Sequence, residues 1–161
     1  MRVALPAVLL ATYLNDHLAA ATAARELTRR AAGSNRNSSY GGLLQALADE
    51  IEQDRETLLS IMRALVVGVD HLKVIGGWSA EKLGRLKLNG RVLGYSPLSR
   101  VVELEALLVG VHGKRALWRS LQQLKRAPLA TFDLDALIAR AEHQLGELER
   151  LRLKAVVEAL G

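Results

Sequence analysis

The chain has no cysteine, only three prolines and 4% aromatic residues. The first absence removes disulfide frameworks, thiol catalysis, iron–sulfur clusters and cysteine-based zinc fingers. Scarce proline leaves long stretches without a helix breaker, and the apolar half of the residues is mainly Leu, Ala and Val. That composition favours helices over strands. No run reaches the roughly 18 uninterrupted apolar residues expected of a membrane-spanning helix. The apolar stretch from Val3 to Leu14 follows Arg2 and resembles the start of a secretion signal. Asn15-Asp16-His17 interrupts it, however, and the helical period continues to Arg30, so the expectation is a cytoplasmic protein with no transmembrane segment.

What is present is a 161-residue chain, 24% charged, with mean hydropathy +0.11. That length suits one domain, residues 1–161, with a sizeable core. Breakers divide it into helices over about 5–32, 42–67, 97–126 and 132–160. Gly33 and the polar run after it stop the first helix. Ser96-Pro97 starts the third, and Ala127-Pro128 separates it from the fourth, which Thr131 or Asp133 caps. Segment 68–96 is far longer than the usual link between antiparallel neighbours. It holds a short helix at 69–73, a second at 78–88 and an Asn89-Gly90 turn. The pattern predicts an all-α four-helix bundle whose partly helical connector crosses over between helices 2 and 3, the topology of ferritin-like bundles, with a plain up-down bundle carrying a decorated loop as the alternative.

Helical spacing places a few polar residues on apolar faces. His17 falls among Leu10, Tyr13, Leu14, Ala20, Ala21, Ala24 and Leu27. Asp54 lies within the Leu47, Ile51, Leu58 and Ile61 stripe, with Glu50 at its edge. His112 and Glu105 share a face with Val101, Leu104 and Leu108 on the third helix, and Arg152 interrupts the stripe of the fourth. In a crossover bundle His17, Asp54 and His112 reach similar depth. Two histidines and a carboxylate are a donor set for one Fe(II) or zinc ion. The simpler reading pairs His17 with Asp54 and Glu105 with Arg152 as buried polar contacts, so no metal or other cofactor is expected. A di-iron centre needs Glu-x-x-His on two helices, and neither occurs.

The net charge of +5 is uneven. Residues 1–67 are neutral, residues 68–126 carry +7 and residues 127–161 carry −2. The excess includes Lys82, Arg85, Lys87, Arg91, Arg100, Lys114, Arg115, Arg119, Lys125 and Arg126. Such a segment suits a polyanion such as nucleic acid, but no aromatic residue interleaves it as a stacking platform would require. A solvated basic face is the simpler reading. No nucleophile elbow or phosphate-binding glycine loop is present.

Tyr13-Leu14-Asn15-Asp16-His17-Leu18-Ala19, Ala48-Asp49-Glu50-Ile51-Glu52-Gln53-Asp54 and Ser99-Arg100-Val101-Val102-Glu103-Leu104-Glu105-Ala106-Leu107 carry a family likeness. Over nearly its full length the chain resembles uncharacterised bacterial proteins of the ferritin-like superfamily. That resemblance implies the four-helix fold and supplies no activity; the missing Glu-x-x-His pairs depart from the superfamily's iron pattern. The expectation is a non-enzymatic structural or interaction protein that self-associates as a dimer or other homo-oligomer. The alternatives are a mononuclear metal protein in stress or redox handling, and polyanion binding through 82–126.

Overall fold

The computed structural model describes residues 5–76 and 94–161. They form helices α1 (Leu5–Ser34), α2 (Gly41–Ala64), the short α3 (His71–Gly76), α4 (Pro97–Gln123) and α5 (Leu134–Leu160), with a 3-10 turn at Ala127–Thr131. No strand occurs among the described residues. The expected helix at 78–88 and the Asn89-Gly90 turn lie outside them.

Local chemistry sets the boundaries. Ser96 caps α4, its hydroxyl accepting from the Ser99 N–H, with Pro97 in the first turn. Asp133, and not Thr131, caps α5 by accepting from the Ala136 N–H at 2.9 Å. Two helices stop earlier than their apolar patterns suggest. α2 ends at Ala64, where Val66 turns to φ 57°, and α4 at Gln123, where Lys125 turns to φ 46°. The short helix begins at His71 and not at residue 69, because the Asp70 carboxylate accepts from the Leu72 and Lys73 N–H groups.

Side-chain pairs fix the helix directions. Arg55 reaches Thr22 at 3.2 Å and Arg25 reaches Glu52 at 3.5 Å, so α1 and α2 are antiparallel. Tyr13 meets Ser120 at 3.1 Å and Asn35 meets Arg100 at 2.7 Å, so α1 and α4 are also antiparallel. α2 and α4 therefore run parallel, so the return between them starts and finishes at opposite ends of a bundle roughly 40 Å long. Asn15 anchors the start of that return. Its amide donates to the Gly68 carbonyl at 3.0 Å and accepts from the Asp70 N–H at 2.7 Å.

Three helices face the centre with seams that step alternately by three and four residues. On α2 the buried seam is Leu44, Leu47, Ile51, Asp54, Leu58 and Ile61. On α4 it is Leu104, Leu107, Val111, Lys114, Trp118 and Leu121, and on α5 Leu137, Ala141, Gln144, Leu148, Leu151 and Ala155. Each seam is apolar except at one mid-height position. α1 does not follow this pattern: it buries Leu14, Leu18, Ala23, Leu27 and Ala31, while Ala20, Ala21 and Ala24 are only half-buried.

Candidate functional site: a polar layer beside an apolar cavity

The three exceptional seam residues meet. Lys114 donates to Asp54 and to the Gln144 amide oxygen, crossing the bundle between α4, α2 and α5. Arg140 donates to the other oxygen of Asp54 and to Gln53 at 3.3 Å. Gln144 passes the network on, its amide donating to Glu50 at 2.7 Å. Asp54 is 3% exposed and Gln144 2%. Two carboxylates, an ammonium and a guanidinium sum to zero charge, which is the condition for keeping ions in a core. Burial draws the Lys114 ammonium below its ordinary value, and the adjacent Asp54 carboxylate opposes that shift.

α1 contributes no large side chain at this height. Between α1, α2 and α4 lies a cavity of about 480 Å³, partly open to solvent. Its walls are mostly Ala20, Ala21, Ala24, Ile51, Leu58, Ala106, Gly110, Gly113, Leu117 and Trp118, with Asp54 and Lys114 at the polar layer and His17 on α1. Small residues hold it open: a Cβ on Gly110 would lie 3.8 Å from that of Ala24, and one on Gly113 would meet nothing within 4 Å. The His17 ring stands edge-on to Tyr13, centroids 4.6 Å apart. Burial lowers its pKa, with Asp16 acting in the opposite sense, so the imidazole is neutral at pH 7.

The sequence-based site residues are dispersed differently from expectation. His17 lines the same cavity as Asp54, but Asp54 pairs with two cations and not with a histidine. His112 is exposed, one residue beyond the inward Val111, and its nearest polar partner is Arg115 at 3.4 Å. The His17–Asp54–His112 metal set is therefore not assembled. Among the described residues no group of three or more potential ligands converges. Glu50 does join Asp54's network, through Gln144. Glu105 is exposed and lies 3.8 Å from Arg152, whose shorter contact is Glu149 at 2.7 Å.

The basic set also divides. Lys114 points inward and leaves the surface stripe altogether. Arg100 packs over the Tyr40 ring at 4.3 Å and bonds Asn35 and Glu158. Arg119 pairs with Glu142 at 2.8 Å; Arg115 is half-buried, and Lys125 and Arg126 are exposed. Lys82, Arg85, Lys87 and Arg91 lie outside the described residues. No helix among the described residues is long and apolar enough to cross a membrane.

Sequence reasoning missed Arg140 and Gln144, and placed Lys114 on the wrong face. The signal was available in the spacing Leu107, Val111, Lys114, Trp118, Leu121, which sets Lys114 on the inward stripe. No protein-family model, curated protein or solved structure matches the chain.

Proposed function

We propose that this chain is a non-enzymatic bundle of the ferritin-like type that works by binding, with the cavity between α1, α2 and α4 as its ligand site. The cavity carries the reading. A void of about 480 Å³ falls within the size range of small-molecule sites, and it has the mostly apolar wall and few polar groups that such sites present. Parallel α2 and α4 joined by a long return support the ferritin-like topology. Asp54 spends both oxygens on Lys114 and Arg140 and is not free to act as a base, which leaves His17 without a paired carboxylate and favours binding over acid–base catalysis.

The test is a fluorescence titration of the full chain with N-phenyl-1-naphthylamine, an uncharged probe that brightens in apolar surroundings. Saturable binding at one site per chain is expected, with loss of at least about tenfold in affinity when Gly110→Leu fills the cavity. A folded Gly110→Leu variant that binds the probe as the natural chain does would contradict the reading.

A further inference from the structure

The cavity's charged groups narrow what can occupy it. Asp54 is satisfied by Lys114 and Arg140, and Lys114 by Asp54 and Gln144. Arg55, on the α2 side, donates to Thr22 at 3.2 Å and to Glu56 at 3.0 Å. Asp16, at the rim, pairs with Lys73 at 3.1 Å. A charged ligand head entering here finds no uncompensated countercharge among the described residues and gives up its own hydration, a cost that an uncharged molecule avoids.

Among the described residues two lining side chains hold a nitrogen without a hydrogen-bond partner, Trp118 and His17, and the Trp118 indole nitrogen is buried away from the open space, which leaves His17 to face it. Among the described residues the His17 ring nitrogens take no hydrogen-bond partner, and the ring stacks edge-on against Tyr13. A neutral imidazole offers one N–H donor and one acceptor nitrogen. It can therefore satisfy a hydroxyl or carbonyl oxygen without introducing charge.

We infer that the ligand is an uncharged, largely hydrocarbon molecule carrying a single hydrogen-bonding group, an alcohol or carbonyl compound, held against the α1 and α4 alanines and glycines with its oxygen at His17. The inference rests on the binding function proposed above and adds the chemical class of the ligand. Fatty acids and alkylammonium ions have the same hydrocarbon body but the wrong head.

Competition against bound N-phenyl-1-naphthylamine at pH 8 separates these cases, using 1-decanol, decanoate and decylammonium, three heads on one chain length. Decanol is expected to displace the probe at concentrations at least about tenfold below either ion. Equal potency, preference for either ion, or no displacement by decanol overturns the ligand class while leaving the cavity as a binding site. A probe that never binds removes the binding function itself, and the inference with it. His17→Leu is expected to weaken decanol by about threefold to tenfold, the worth of one hydrogen bond, and to narrow its lead over decanoate. Unchanged decanol binding in that variant overturns the assignment of the oxygen to His17.

Discussion

Lys114 of α4 donates a hydrogen bond to Asp54 of α2 across the diagonal of the bundle, between two helices that run in the same direction. The pair sits where both helices would otherwise place an apolar seam residue. Arg140 and Gln144 of α5 complete the layer, so three of the four long helices are tied at one height by polar groups that bond one another. A staggered helix would strand a buried charge. The layer therefore favours a single register, a role best attested for isolated polar residues in helical seams.

Breaking the layer from one side should be costly. Asp54→Ala leaves Lys114 and Arg140 facing each other without their carboxylate and is expected to destabilise the fold by about 3–5 kcal/mol. Lys114→Met alone should cost less, since Arg140 still holds Asp54. Urea unfolding of both single variants and the double variant checks this. The double variant should lose less than the two singles combined, by about 1–3 kcal/mol of coupling.

Two glycines should respond in opposite directions. A Cβ on Gly41 would lie 2.6 Å from the Asn35 carbonyl oxygen and 2.8 Å from that of Arg36, both backbone atoms that cannot swing aside. Gly41→Ala is expected to lower stability by about 2 kcal/mol or more. Gly113 has open space and an ordinary helical backbone within α4, so Gly113→Ala should raise stability by roughly 0.5–1 kcal/mol. Thermal unfolding of the two variants reads both signs.

His17 makes stability depend on pH in a defined window. Its folded pKa lies below the ordinary 6.5, mainly through burial. Between those two values the unfolded chain binds more protons than the folded one, so stability rises with pH through the window and falls on acidification. The His17 imidazole NMR signal should titrate with a midpoint under 6.5. His17→Leu should flatten the part of the stability profile that belongs to this group.

Asn35 closes the opposite end of the bundle from the start of α1. It is 1% exposed, donates to the Ala31 carbonyl at 2.8 Å and to the Tyr95 hydroxyl, and accepts from Arg100 at 2.7 Å. Asn35→Ala takes an acceptor from the half-buried Arg100, which keeps Glu158, and a donor from the exposed Tyr95 hydroxyl, which keeps Glu103, and is expected to cost about 1–2 kcal/mol. Tyr95, which burial pushes up to about 12 while the hydrogen bond from Asn35 acts in the opposite sense, should then ionise at higher pH, measurable by its absorbance.

Much of the helical layout was legible because capping residues and breakers act locally. Ser96-Pro97 marked the start of α4 to the residue, and the length of segment 68–96 carried the parallel direction of α2 and α4. Helix faces were harder where apolar residues crowd. Val101, Val102, Leu104, Leu107, Leu108, Val109 and Val111 fit more than one stripe, and only the bulk of Trp118 and Leu121 further along selects the face that turns Lys114 in and His112 out. The cavity was illegible for a related reason. Ala20, Ala21 and Ala24 read as core from their apolarity, whereas their small volume is what leaves the space unfilled.

The binding site itself is tested most directly by methyl NMR. Alanine and leucine methyl signals would be followed while the full chain is titrated with N-phenyl-1-naphthylamine. Saturable shifts are expected at Ala20, Ala21, Ala24, Ala106 and Leu117, with the far ends of the bundle, such as Leu9 and Leu160, unmoved. Shifts confined to those ends, or none at the cavity methyls while the probe binds, would contradict the cavity site.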